Sequence, residues 1–192
     1  ASPLGNGTDG TYDRFEHVYN RLGQVVERKD QNATVHAFDY DKLGRLTQDR
    51  VTTFGTGVDQ AVKRLGRTYE VRGMLAKATS YDNATVGSGS VLNEVQLAYN
   101  TFSQLTTEYQ EHGGTVNTST SPKVQYGYAD GGSSSNQVRA TGMTYPNSRA
   151  ITYDYGTANE MNDVLSRIYA ITDGAVTLAS YSYLGGSTAI RR

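Results

Sequence analysis

One short phrase returns along the chain and limits what it can fold into. Tyrosine opens it, a polar turn follows, then glycine, then an apolar strand. Its copies are Tyr19-Asn20-Arg21-Leu22-Gly23-Gln24-Val25, Tyr40-Asp41-Lys42-Leu43-Gly44-Arg45-Leu46 and Tyr69-Glu70-Val71-Arg72-Gly73-Met74-Leu75. A fourth copy, Tyr99-Asn100-Thr101-Phe102-Ser103-Gln104-Leu105, puts serine in the glycine slot. A unit that recurs every few tens of residues is how repeat architectures look in sequence. In such folds, function belongs to an assembled surface rather than to one local motif.

Composition agrees with a chain of short strands and tight turns. Among 192 residues there are 21 glycines but only 3 prolines, and 15 tyrosines against 4 phenylalanines and no tryptophan. Abundant Thr and Val add to the β character. The hydrophobic fraction is low, at 36%. Regular tyrosines and alternating strands nevertheless argue against disorder, which is poor in aromatic and β-branched residues. The length allows one core of ordinary size. A formal net charge of −1 gives no bulk electrostatic pull toward nucleic acid or membranes. With no cysteine, disulfides, thiolate metal sites and cysteine nucleophiles are all excluded. No apolar run approaches the roughly 20 residues that span a bilayer, and no signal peptide is visible. The chain opens and closes in repeat-like text, as expected of a segment of a longer protein.

Alternation defines the strands. His36, Phe38 and Tyr40 share one parity, as do Val91, Val95, Leu97 and Tyr99. The same holds for Leu105, Thr107 and Tyr109, for Val124, Tyr126 and Tyr128, and for Ile151, Tyr153 and Tyr155. Period two predicts strands with one buried face. Val176 and Leu178 have one parity and Tyr181 and Tyr183 the other, so a bulge is expected near Ala179. His112-Gly113-Gly114, Asp130-Gly131-Gly132 and Asp173-Gly174 supply turn chemistry. The glycine of the repeat phrase is expected at positive φ. A short helical turn over 158–162 followed by strand is the only helical expectation. Residues 1–11 read as a flexible lead-in, 12–183 as the hairpin array and 184–192 as a tail. The Ser/Thr/Asn/Gly-rich stretches 111–123 and 130–137 read as exposed loops.

At these residues the chain resembles the RHS or YD-repeat family. Tyr40-Asp41-Lys42-Leu43-Gly44-Arg45-Leu46-Thr47 matches that family's pattern closely, and Tyr12-Asp13 and Tyr19-Asn20-Arg21-Leu22-Gly23 match well. Tyr69, Tyr99 and Tyr153-Asp154 match loosely, and the resemblance extends over roughly residues 12–183. It implies successive β-hairpins joined into a long spiralling antiparallel sheet, with tyrosines and leucines stacked along the strip. In the family's bacterial toxin complexes and in teneurins that sheet closes into a hollow shell. The family's self-cleavage motif has an Asp-Pro step. This chain has no Asp-Pro, so neither self-cleavage nor a payload carries over.

Other chemistries find little support. A serine hydrolase needs a nucleophile elbow, and no Gly-x-Ser-x-Gly is present. His17, His36 and His112 are the available bases; mid-strand His36 reads as half-buried, and the other two as solvated. Asp39 and Asp41 flank Tyr40 and have the donor type for calcium. Asp41 reads more simply as the residue that opens a turn by accepting backbone N–H groups. Glu108 and Glu111 bracket Tyr109 and read as a solvated rim. Walker-type and dinucleotide fingerprints are absent.

The expectation is therefore all-β: repeated antiparallel β-hairpins in a curved, spiralling YD-repeat sheet, an open partial shell. Its structural anchors are Tyr12, Tyr19, Gly23, Tyr40, Gly44, Tyr69, Gly73, Tyr99 and Tyr153. The leading role is a non-enzymatic wall segment of a secreted or cell-surface bacterial protein. It has no cofactor or metal, and its partners are other repeats of its parent. Self-association through open sheet edges is also expected. A glycan or cell-surface binding module acting through 111–123 and 130–137 is the alternative, and a histidine-dependent hydrolase the third reading. Neither nucleic acid nor a membrane span enters any of these readings.

Overall fold

The computed structural model describes residues 14–129 and 139–191. Thirteen strands organise them. They are β1 (Glu16–Tyr19), β2 (Val25–Lys29), β3 (Val35–Tyr40), β4 (Leu46–Thr53), β5 (Arg64–Tyr69), β6 (Leu75–Tyr81) and β7 (Val91–Tyr99). Then come β8 (Leu105–Glu111), β9 (Lys123–Tyr128), β10 (Ala140–Thr144), β11 (Ala150–Asp154), β12 (Ala170–Asp173) and β13 (Val176–Ser180). The only α-helical element among the described residues is one turn, α1 (Met161–Val164). The strands form one open sheet whose order is the order of the chain, β1 to β13. The fold is all-β, and its pairings are antiparallel.

The chain divides into two compact units, Ala1–Gln96 with Gln110–Ser121, and Leu97–Tyr109 with Pro122–Arg192. In the first, the repeat phrase builds the hairpin turns. Gly23 N–H donates to Asn20 O (3.1 Å), Gly44 N–H to Asp41 O (3.0 Å) and Gly73 N–H to Glu70 O (2.9 Å). The glycines sit at φ of 78°, 79° and 93°. This is the three-residue hairpin loop, a type I turn closed by a left-handed residue. In the second unit Ser103 does the same work at φ 65°, and its N–H bonds Asn100 O at 3.1 Å. The pairing register shifts between Val18 and Tyr19, between Asp39 and Tyr40, and between Thr68 and Tyr69. Each shift is the bulge that such a loop imposes on its strand.

Several expectations need correction. An ordinary apolar core is not what forms. Among the described residues, Ala170 is the one hydrophobic side chain in the fully buried class, while Thr34, Arg64, Thr79, Ser80, Glu94, Thr107, Ser121, Asp163 and Arg167 are buried polar groups. A single sheet layer has no second layer to pack on, so its apolar side chains stay half covered. Nor does β3 bury one face only: all six of its residues are half-buried. The helical turn lies at Met161–Val164 rather than 158–162, and strand resumes only at Ala170. Asp163 draws this segment into a turn by accepting the N–H of Asn159 (2.7 Å). The expected bulge near Ala179 is present. Ile171 pairs with Ala179 and Thr172 with Thr177, leaving Leu178 as the extra residue. The tail folds back through an isolated bridge between Tyr183 and Ile190. Residues 1–11 and 130–137, and the anchor Tyr12, lie outside the described residues. No helix among the described residues is long and apolar enough to cross a membrane.

Candidate functional site

Tyrosines at or just past strand ends, two of them in the repeat phrase, place a hydroxyl at one recurring spot. Tyr40, ending β3, donates to Val25 O at the start of β2 (2.7 Å). Tyr69, ending β5, donates to Leu46 O at the start of β4 (2.7 Å). In the second unit Tyr128, ending β9, donates to Leu105 O at the start of β8 (2.9 Å). Tyr155, just past β11, donates to Ala140 O at the start of β10 (2.8 Å). Tyr183 repeats the contact on Ile168 O (2.7 Å). Each such bond staples the end of one strand, or the residues just past it, to the beginning of its predecessor or the residues just before it, and satisfies a backbone acceptor.

Where the sequence anchors fall is mixed. Gly23, Gly44 and Gly73 hold the turns, Tyr40 and Tyr69 are staples, and Tyr99 ends β7 half-buried. Tyr153 lies within β11, opposite Ile171, and the staple of that repeat is its neighbour but one, Tyr155. Tyr19 ends β1 and is 59% exposed, not packed inside. Tyr40, Tyr69, Tyr99 and Tyr153 are half-buried rather than enclosed, because their rings lie along one sheet layer. Tyr128, Tyr155 and Tyr183 were not among the anchors. Their turns lack the full phrase, and the signal that marks them is a tyrosine at a strand's end.

One face of the first unit carries a polar row. Register places Asp39, Gln48, Gly66, Thr79 and Glu94 side by side across β3 to β7. The Arg50 guanidinium clamps Asp39 with two bonds (2.8 and 3.0 Å). Arg64, 4% exposed, lies 3.6 Å from the Tyr81 ring centroid and donates to Gln48 Oε1 (3.2 Å), Asn83 O (3.2 Å) and Ser88 O (3.0 Å). It therefore pins the β6–β7 loop to the sheet. Glu94, also 4% exposed, accepts from Lys77 Nζ (2.9 Å), Thr79 Oγ1 (2.8 Å) and the Val116 N–H (3.1 Å). Burial pushes its carboxyl up, but the three donors together outweigh burial and hold it below the ordinary value. Alternation alone assigns such residues to solvent. Gly66 was the available clue, since a Cβ there would approach the Tyr81 ring to 3.1 Å.

The loop from 111 onward is correspondingly tethered rather than loose. Besides the Glu94 bond, Ser121 Oγ donates to Glu111 Oε2 (2.5 Å) and accepts the Asn117 N–H (2.9 Å). Glu111 is thus engaged, not a plain solvated rim. The second unit repeats the arginine-on-tyrosine arrangement. Arg139 stacks on Tyr155 at 3.9 Å, bonds Asp163 O (2.7 Å) and pairs with the Asp163 carboxylate, whose side chain is 2% exposed. Arg167 lies 4.6 Å from the Tyr183 ring centroid and donates to Gly185 O and Ser187 O, both at 2.7 Å.

The histidines sit apart in the fold. His17 is in β1 opposite Arg28, and His112 follows β8. His36 in β3 bonds Asp49 through Nδ1 at 2.6 Å, at a hollow of about 180 Å³. Its lining residues are His36, Asp49, Val51, Val62, Lys63, Arg64 and Leu65, with no hydroxyl or thiol nucleophile among them. The candidate calcium carboxylates are occupied by protein donors. Asp39 is held by Arg50, and Asp41 accepts the N–H groups of Leu43 and Arg45, both at 2.9 Å. The Arg45 N–H foremost, with its guanidinium, holds the Asp41 carboxyl below its ordinary value.

Geometrically, then, the chain is an all-β sheet of stapled hairpins. No family model and no curated protein matches its sequence. Solved structures described as TcdB2-TccC3 without the hypervariable C-terminal region and as TcdB2-TccC3-Cdc42 are similar over 93% of this chain, at 11% and 10% identity and TM-scores of 0.43 and 0.44. The Photorhabdus luminescens Tc holotoxin pore is similar over 74%, at 14% identity and a TM-score of 0.29. The chain spans about a tenth of the length of the TcdB2-TccC3 chains.

Proposed function

We propose that this chain is a non-enzymatic structural segment of a secreted or cell-surface RHS/YD-repeat wall. The observation that supports the reading best is the recurring tyrosine staple, from Tyr40–Val25 through Tyr183–Ile168. A contact that recurs along the array and ties the end of one strand to the start of the one before it serves stiffness and extension, not turnover. The side chains that have chemistry to offer, Glu94, Arg64, Arg139, Asp163 and Arg167, are spent on holding loops against the sheet. In this role the partners are further repeats, and the work done is steric: a wall that shields or displays.

The test is excision of one repeat. Removing residues 41–69 joins Tyr40 to the Glu70 turn and keeps strand direction. A repeat wall keeps a cooperative β-sheet after this deletion, read by circular dichroism and chemical denaturation. Loss of all β structure would mean that the repeats are not interchangeable units. Adhesion to a glycan or cell surface remains the second reading. It gains some support from the tethering of the 111–121 loop, because a pre-ordered loop loses less entropy on binding.

A further inference from the structure

Three alternate turns of the first unit, those of β1–β2, β3–β4 and β5–β6, share a second property. At their tips Leu22 is 82% exposed, Leu43 78% and Val71 fully exposed, so each presents an aliphatic side chain to solvent. Beside each stands a cation: Arg21, Lys42 and Arg72. The β1–β2, β3–β4 and β5–β6 turns lie at the same end of their strands, because every pairing between them is antiparallel and in chain order. Adjacent tips are two strands apart, roughly 9–10 Å. The row is tied laterally: Gln24 Nε2 donates to Gly44 O (3.1 Å), and Arg45 lies 4.4 Å from the Tyr69 ring centroid.

We infer that this row of turn tips is a peripheral docking edge for an anionic lipid bilayer surface. Three features on the tips select that occupant. The apolar groups are separate prongs on separate turns, spaced by two strands. A medium that closes round each prong is needed, and acyl chains do so. The turn N–H groups are already satisfied from within, Leu22 and Gln24 by Asn20 Oδ1, Leu43 and Arg45 by Asp41 Oδ1, and Arg72 by Glu70 Oε1. Shallow insertion therefore strips water from few unmet donors. Finally, cations outnumber carboxylates at the tips. Asp41 is paired with Arg45 and Glu70 with Arg72, leaving Arg21 and Lys42 as the excess positive charge that anionic headgroups attract.

The full chain is to be sedimented with vesicles of equal parts phosphatidylcholine and phosphatidylglycerol, and with phosphatidylcholine alone. Binding to the anionic vesicles that falls with added salt is expected. Replacing the prongs together (Leu22→Ser, Leu43→Ser, Val71→Ser) should weaken it by about tenfold or more. Arg21→Gln with Lys42→Gln should weaken it by roughly fivefold or more and flatten the salt dependence. All five positions are solvent-facing turn residues, so circular dichroism of the variants should match the parent. No sedimentation with anionic vesicles at low salt, or undiminished binding by the triple variant, overturns the proposal. Binding to polyglutamate without binding to vesicles also overturns it and assigns the edge to an acidic protein partner.

Discussion

The Tyr69 hydroxyl donates to the Leu46 carbonyl at 2.7 Å, from the last residue of β5 to the first of β4. The bond joins a strand pair that is otherwise held by its backbone ladder and by the Arg64–Gln48 side-chain bond, and it lies at the end of the pair where the β5–β6 turn begins. Tyr69→Phe keeps the ring and removes only the bond. It should lower unfolding free energy by about 1 kcal/mol, read as a shift of the denaturation midpoint at constant slope. Tyr40→Phe should do the same through Val25. Unchanged midpoints in both would mean that the staple is a passive contact.

Left-handed backbone gives a second test with the opposite sign. Ala33 sits at φ 64° in a turn where Asp30 Oδ1 accepts the N–H groups of Asn32 and Thr34. It stands where the repeat phrase puts glycine. Ala33→Gly relieves the Cβ clash with the following carbonyl and should stabilise by about 0.5–1 kcal/mol. Gly23→Ala, at φ 78° with open space around it, should destabilise by about 1 kcal/mol. Thermal melts of the two variants should move in opposite directions.

Acid should act through Glu94. Its folded carboxyl is held below the ordinary value of 4.5. A depressed folded pKa gives stability that is present above the unfolded pKa and lost as pH falls through the folded one. Stability should therefore decline below about pH 4.5, and Glu94→Gln should flatten that decline. The protection of the Val116 amide, measured against its intrinsic exchange rate at each pH, should fall in acid in the parent, since its N–H bonds the same carboxylate. An unchanged pH profile in Glu94→Gln would remove the carboxylate from this role.

The buried pair of the second unit gives the largest expected loss. Arg139→Met strips the buried Asp163 carboxylate of its guanidinium and should cost about 3–5 kcal/mol. Adding Asp163→Asn should recover part of that loss, because the uncompensated charge goes with it. A double variant no more stable than Arg139→Met alone would show that the arginine acts by stacking on Tyr155 instead.

Much of this architecture was legible because the chain repeats it aloud. Tyr40 and Gly44 announce a strand end and a left-handed turn residue, and both are found there. The bulge beside Ala179 was readable from a change of parity. What could not be read was the use made of polar residues. Alternation treats Gln48, Arg64, Thr79 and Glu94 as a solvent face, whereas loops from 82 and 111 onward fold over it and convert solvated groups into buried, paired ones. That closure depends on loops returning to a sheet many residues away, which periodicity does not encode. The tyrosines show the same limit. Their period reveals a shared job, but whether the job is burial or hydrogen bonding depends on having a second layer, and one sheet has none. The turn tips illustrate the reverse case, where Leu22 and Leu43 look like core and stand in water.

Strand order that follows chain order has an evolutionary consequence. Each β-strand pairs only with the ones before and after it, so copying or losing a pair of strands leaves every other pairing in register. Such a protein changes its span by recombination between like segments, and point substitutions need only tune individual turns. Contacts this local also favour fast folding, so a newly lengthened array would reach its structure without having to search for distant partners.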